Sequence, residues 1–325
     1  MTPPAKSKSL SDTAAEQRFL AIEIGGSKLQ LCLGNAAGEI RERRRFVVER
    51  ERGAEGIRAR IAEVLPELIA PGQPAAIGVG YGGPVDWRTG RIWKSYHIAG
   101  WSDFPLADWL REQTGRPAFV DNDSNLATLG EAWCGAGKGA SVVFYTNMGS
   151  GVGGGLAING RLYHGMPPGE MELGHLRLET ADRILEDDCA GWSLDRQIRV
   201  GVKSVPDSPL AKLVAADPGC EARHVAAALA AGDPLALSLL ETFAGHLAKA
   251  LGVVTQLLHP EVIIIGGGLS LLGEPLRAAV ARRLHYYIMD AFHPGPSIRL
   301  AELREDSVPV GALLMAADRF SNSQL

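Results

Sequence analysis

The 325-residue chain has no paired cysteines: Cys32, Cys134, Cys189 and Cys220 are scattered, with no C-x-x-C among them. A disulfide framework is therefore not expected, and reduced thiols in a cytoplasmic protein are. Basic charge is also lacking. The formal net charge is −4, which speaks against nucleic-acid binding, since such proteins present a basic face. The one basic run, "RERRRF" at residues 41–46, reads as a solvated strand or hairpin end. The amino terminus, "MTPPAKSKSLSDTAAEQRF", carries no apolar signal core, so secretion is not expected and residues 1–17 read as a disordered leader. No window approaches the roughly 20 apolar residues of a membrane span. A Walker loop is missing too: "GAGKGAS", residues 135–141, has Gly139 where Ser or Thr must follow the lysine.

Apolar residues make up 46% of the chain and charged residues 22%, the balance of a globular protein with a real core in one or two domains. In "LAIEIGGSKLQLCLG", residues 20–34, Leu29, Leu31 and Leu33 alternate with Gln30, Cys32 and Gly34. Period two is the strand period. The stretch reads as strand, glycine turn, strand, whereas Rossmann and Walker loops lead into a helix. The pattern returns at residues 141–165, "SVVFYTNMGSGVGGGLAINGRLYHG". Two halves, each opened by a glycine hairpin, imply an internal duplication. Between them a buried strand is expected near Gly78 and a helix over residues 106–113. Beyond them come a long helix in "DPLALSLLETFAGHLAKALGVVTQLLH", a doubly buried strand in "PEVIIIGGGLS", a helix over residues 275–289 and a short last helix in "PVGALLMAADRF".

"DNDSN", residues 121–125, follows a short apolar strand. A carboxylate at a strand end beside a cleft suits a general base, and equally suits a helix cap.

Taken together these stretches resemble the ROK family of sugar kinases and repressors, within the actin-like ATPase superfamily. The likeness covers about residues 20–317 and rests on "EIGGSK", "GYGGPVD", "SYHIAGW", "DNDSNLATLGE", "NMGSGVGGG", "GEMELGH", "EVIIIGGG" and "VGAL" in order. It implies an α/β, two-domain actin-like (ribonuclease H-like) fold, with duplicated hairpin-containing halves and an interdomain cleft. A small domain is expected over residues 18–120 plus 311–325, and a large one over 121–310. The resemblance implies that Gly25, Gly26, Ser27 and Lys28 hold phosphates on one side and Gly149, Ser150 and Gly151 on the other, with Gly266, Gly267 and Gly268 beside the adenosine. Glycine lets backbone amides approach phosphate closely. It implies Asp123 as the base, with Gly83, His97, Asn122, Glu172 and His175 at the sugar. ATP and Mg²⁺ are the implied cofactors, and a homodimer free of nucleic acid and membrane the implied state.

Four departures stand out against that family pattern. The family's cysteine-rich zinc segment reads "ILEDDCAGWSLDRQIR" here, so no zinc is expected. Its downstream acid falls nearest Asp195, which the resemblance places at the sugar. His97 replaces an Asn, and Glu23 replaces an Asp that helps hold Mg²⁺ through water. The expected activity is ATP-dependent phosphorylation of a hexose or amino sugar, glucokinase-like; the alternative is a sugar-binding protein with weak or no kinase activity. A repressor is not expected, since only about twenty residues precede the first strand, too few for a DNA-binding domain.

Overall fold

The computed structural model describes residues 17–72, 74–96 and 98–324. The expected leader lies outside the described residues but for Gln17, and so does His97. In chain order the elements are β1 (Arg18–Ile24), β2 (Lys28–Asn35), β3 (Ile40–Val47), α1 (Gly53–Gly72), β4 (Ile77–Tyr81), β5 (Val85–Asp86), β6 (Arg91–Ile92), α2 (Leu106–Thr114), β7 (Ala118–Asn122) and α3 (Asp123–Cys134). Then follow β8 (Val142–Met148), β9 (Val152–Ile158), β10 (Arg161–Leu162), α4 (Glu186–Cys189), α5 (Gly191–Gly201), α6 (Pro209–Ala216), α7 (Val225–Ala230), α8 (Pro234–Leu258), β11 (Val262–Gly266), α9 (Glu274–Leu284), β12 (Ser297–Leu300) and α10 (Ser307–Asn322).

Two compact units divide the chain: Met1–Gly130 with His164–Gly169 and Asp306–Leu325, and Glu131–Tyr163 with Glu170–Glu305. The first unit thus runs on to Gly130, where residue 120 was the expected limit, and it gains a short excursion at His164–Gly169. The reason is backbone packing. A Cβ on Gly311 would sit 1.8 Å from Leu126 O, and one on Gly130 would sit 2.4 Å from Ser307 O. Leu126 and Gly130 of α3 therefore pack main chain to main chain on Gly311 and Ser307 of α10, which draws this part of α3 into the first unit.

The first unit's sheet has the order β3-β2-β1-β4-β7, with β1, β2 and β3 antiparallel and β1, β4 and β7 parallel. Leu20, Ile22 and Ile24 pack with Ile57, Ile61 and Leu65 of α1 and with Leu110 of α2. Successive side chains alternate in direction; Phe19 meets Phe320 of α10 edge-on at 6.3 Å. Burial on both faces explains why β1 reads as a nearly continuous apolar run.

The second unit's sheet repeats the plan: β10-β9-β8-β11-β12, antiparallel through the hairpin and parallel across β8, β11 and β12. The duplication inferred from the two hairpins is this shared topology. Phe144, Met148 and Leu156 pack against Phe243, Leu247 and Leu251 of α8. Contrary to the sequence reading, α8 is long and apolar enough by length and composition to cross a membrane. Half of its apolar window is buried inside the protein, and it is the central core helix of this unit. Asp233 caps it, accepting from Leu235 N and Ala236 N. The helix expected over 275–289 ends at Leu284, followed by a 3₁₀ turn at His285–Tyr287, and the last helix is longer than expected, beginning at Ser307.

Candidate active site

β7 ends at Asn122 and α3 begins at Asp123, so three polar residues in a row leave the sheet at one point. Asn122 Oδ1 accepts from Ser124 N at 2.8 Å and from Asn125 N at 3.2 Å. It is the cap of α3, the role that sequence alone also allowed for Asp123. Its Nδ2 donates to Gly83 O at 3.2 Å, which joins two of the expected sugar contacts. The Asp123 carboxylate accepts from Ser124 Oγ at 3.3 Å through Oδ1 and reaches towards the β4–β5 turn with the other oxygen: its Oδ2 lies 3.2 Å from where a Cβ on Gly82 would stand. Gly25 Cα lies 3.7 Å from that same point. The expected base and the first glycine turn therefore flank one small space, which only glycine at position 82 leaves open. The Tyr81 hydroxyl beside them is pushed up to about 12, chiefly by burial; a hydrogen bond with Ser95 opposes this and the Asp123 charge adds to it.

Asp121, missed as a site residue, is 1% exposed. Its Oδ1 accepts from Asn122 N at 2.9 Å and Asn125 Nδ2 at 3.0 Å. Its Oδ2 lies 2.7 Å from His164 Nε2 and 3.7 Å from an Arg319 nitrogen. His164 stacks on Trp87 with ring centres 4.3 Å apart, and Asn125 Nδ2 also donates to Gly169 O. These bonds hold the His164–Gly169 excursion against the β7–α3 junction and fix the backbone that carries Asp123. The signal in the sequence was the doubled aspartate of "DND"; nothing in it announced His164 as the partner, 43 positions away.

The first glycine turn is closed by Gly25 N donating to Lys28 O at 2.9 Å, and Arg50 Nε donates to Gly26 O at 2.8 Å. Arg50 was not foreseen; it places a guanidinium beside the turn. Neither Gly25 nor Gly26 has positive φ, so their lack of a side chain serves open approach rather than backbone conformation. Glu23 is buried, with Lys28 Nζ 2.9 Å from Oε1 and Gln30 Nε2 bonded to Oε2. Both oxygens are thus engaged. The expected role of Glu23 is a contact to Mg²⁺ through water, and each oxygen keeps a further lone pair for a water beside these partners. Among the described residues no group of three or more His, Cys, Asp or Glu could hold a metal ion.

In the second unit the turn at Gly149, Ser150 and Gly151 is closed by Gly149 N donating to Gly151 O at 2.9 Å. Glu186, another residue not foreseen, accepts from Val152 N at 2.9 Å. Glu172 leaves about half of its side chain exposed (49%), with His175 Nε2 at 4.0 Å. Its carboxyl is held above the usual range, first by desolvation and further by the Glu186 charge, while His175 pulls it down. Glu172, His175 and Glu186 therefore form one polar cluster beside the hairpin. Gly174 explains the closeness, since a Cβ there would lie 2.3 Å from Val152 O. Asp195 does not join them: its Oδ1 accepts from Ala222 N at 2.7 Å, a structural bond. The acid that replaces it in the cluster is the first of the run "EDD" at the head of α4, nine residues upstream in the sequence.

The three glycines after β11 differ in kind. A Cβ on Gly266 would meet Tyr145 Oη at 2.0 Å, and Gly267, at φ +77°, would meet Asn147 Oδ1 at 2.3 Å. Packing demands both. Gly268 has nothing within 4 Å, so it alone borders open space.

The ROK family model matches residues 19–319. A glucokinase from Halalkalibacterium halodurans is 31% identical over 91% of this chain and 94% of its own. One from Thermotoga maritima is 29% identical over 93% and 98%. Among solved structures, a ROK family glucokinase from Streptomyces griseus in complex with glucose and AMPPNP superposes with a TM-score of 0.81. It is 26% identical, over 93% of this chain and 99% of the other. The arrangement of hairpins, capped β7–α3 junction and glycine-rich loop is thus that of an actin-like ATPase fold, and the chain belongs to the ROK family.

Proposed function

We propose that the protein is an ATP-dependent kinase that phosphorylates a hydroxyl of a hexose or amino sugar. The observation that carries this reading is the shared space at Gly82, where the Asp123 carboxylate and the Gly25 turn meet. A sugar hydroxyl is a weak nucleophile until its proton has somewhere to go. Asp123 accepts that proton as the new O–P bond forms and the bond between the γ-phosphorus and the ADP oxygen breaks. Asn122, spent on capping α3 and on Gly83, holds Asp123 in place while one amide N–H stays available to the sugar. The glycine turns and Arg50 receive the phosphates. Glu172, His175 and Glu186 supply acceptors and a donor for sugar hydroxyls. Glucokinases of the same family support the sugar and the donor.

A coupled ADP-release assay over a panel of hexoses and amino sugars, with ATP and with polyphosphate, tests the reading. Asp123→Asn is expected to lower kcat by roughly 10²–10⁴-fold while changing the sugar KM little. An unchanged kcat removes Asp123 as base. Sugar binding with no ADP release makes the protein a sugar-binding member of its family, and ATP turnover that ignores sugar makes it a hydrolase.

A further inference from the structure

A cavity of about 310 Å³ lies in the first unit, and neither Gly82, Asp123 nor Gly25 is among its walls. Trp87, Arg88, Arg111, Phe119, Arg319 and Ser323 are among its walls, and none of the described residues lining it is acidic. Three guanidinium groups around one small cavity repel one another unless an anion lies between them. Two have carboxylates nearby that are not among its walls: Arg111 lies 2.7 Å from Asp108, and Arg319 lies 3.7 Å from the buried Asp121. Arg88 is exposed and lies over the Trp87 ring at 5.3 Å. Arg319 is the deepest of the three, lying against the Trp87 and Phe119 rings at 5.4 and 5.8 Å, with Nη1 donating to Trp87 O. Burial makes its charge costly: its pKa is pulled down by desolvation, against the opposing pull of Asp121 and Asp318. An added anion relieves that cost.

We propose that this cavity is a second anion site, separate from the glycine turns, and that it takes a phosphate monoester of about hexose-phosphate size. The volume sits at the lower end of small-molecule sites, roughly 300–1,000 Å³. Arginine suits a phosphoryl group because its planar donors bind two oxygens at once. An aromatic wall and the hydroxyl of Ser323 suit the remainder of a polar ring compound. Occupancy has a built-in route to the β7–α3 junction. Arg319 shares Asp121 with His164, and Asp121 accepts from Asn122 N. A phosphate drawing on Arg319 weakens its hold on Asp121.

Titration calorimetry on the whole protein, with inorganic phosphate and with glucose 6-phosphate as separate probes, tests the site. The assay reads binding without turnover, so an inactive protein would leave it valid. Glucose 6-phosphate is expected to bind more tightly than inorganic phosphate. The Arg88→Ala/Arg111→Ala double variant is expected to weaken it about tenfold or more. A change in tryptophan fluorescence on binding should vanish in Trp87→Phe. Arg88 and Arg111 are exposed, so the double variant should fold, and unchanged thermal unfolding without ligand checks this. No binding of either probe at millimolar concentration overturns the proposal. So does binding of equal strength in the double variant, which would place the anion elsewhere.

Discussion

Glu186 and Asp195 show what a single position can hide. Both are acids just beyond the "GEMELGH" stretch, and the resemblance pointed to Asp195. The structure sets Asp195 on Ala222 N and Glu186 beside Glu172 and the second glycine turn. Glu186→Gln keeps an acceptor for Val152 N and removes the charge. It is expected to raise the sugar KM or lower kcat about tenfold or more while leaving stability within ~1 kcal/mol. Asp195→Ala removes the acceptor for Ala222 N and is expected to do the reverse, and steady-state kinetics beside urea unfolding separates the two. A second pair tests pH dependence. The Glu221 carboxyl is pulled down to about 2, first by its hydrogen bond with Arg199 and then by backbone amides, against its burial. A depressed carboxylate contributes stability that is complete above its unfolded value of 4.5 and is lost as pH falls through that window towards 2. In Arg199→Ala this loss should shrink, so the wild-type and variant unfolding curves should converge as pH is lowered from 5 to about 2. Curves that stay parallel across that range remove the pair as a source of acid sensitivity.

At the scale of elements, the glycines carry most of what was readable and most of what was not. The hairpins were legible because β2 keeps strict period two and because a glycine turn interrupts it without a helix following. The reason for each glycine was not legible, since it depends on what faces the missing Cβ. Gly311 is glycine because Leu126 O lies in its way, and Gly78 because Ala312 O does, at 2.1 Å. Gly311→Ala is therefore expected to destabilise by roughly 2 kcal/mol or more, read as a fall in the urea midpoint. Gly268→Ala meets nothing within 4 Å and has no positive φ. It is expected to leave stability nearly unchanged and, if the loop borders adenosine, to raise the ATP KM. A destabilised Gly268→Ala or a neutral Gly311→Ala would break this division between packing glycines and approach glycines.

For the whole molecule, the repeated plan was visible in the sequence, but its seam was not. Two similar hairpins signal a duplication; where one body ends depends on α3 meeting α10, a contact between residues far apart in the chain. Each unit has its own core. Ile61 of α1 is fully buried in the first, and Leu247 of α8 is fully buried in the second. Truncating a buried leucine or isoleucine to alanine costs about 2–5 kcal/mol, through lost transfer energy and the cavity left behind. If the two cores unfold as separate cooperative blocks, that cost stays local. Native-state hydrogen exchange of Leu247→Ala should then show protection falling for the amides of β8, β11 and α8, with those of β1 and β4 nearly as protected as before. Ile61→Ala should give the mirror pattern. Equal losses in both sheets from either substitution would mean that the chain opens only as one block. The seam at Gly130 would then mark a boundary of packing density without being a boundary of stability.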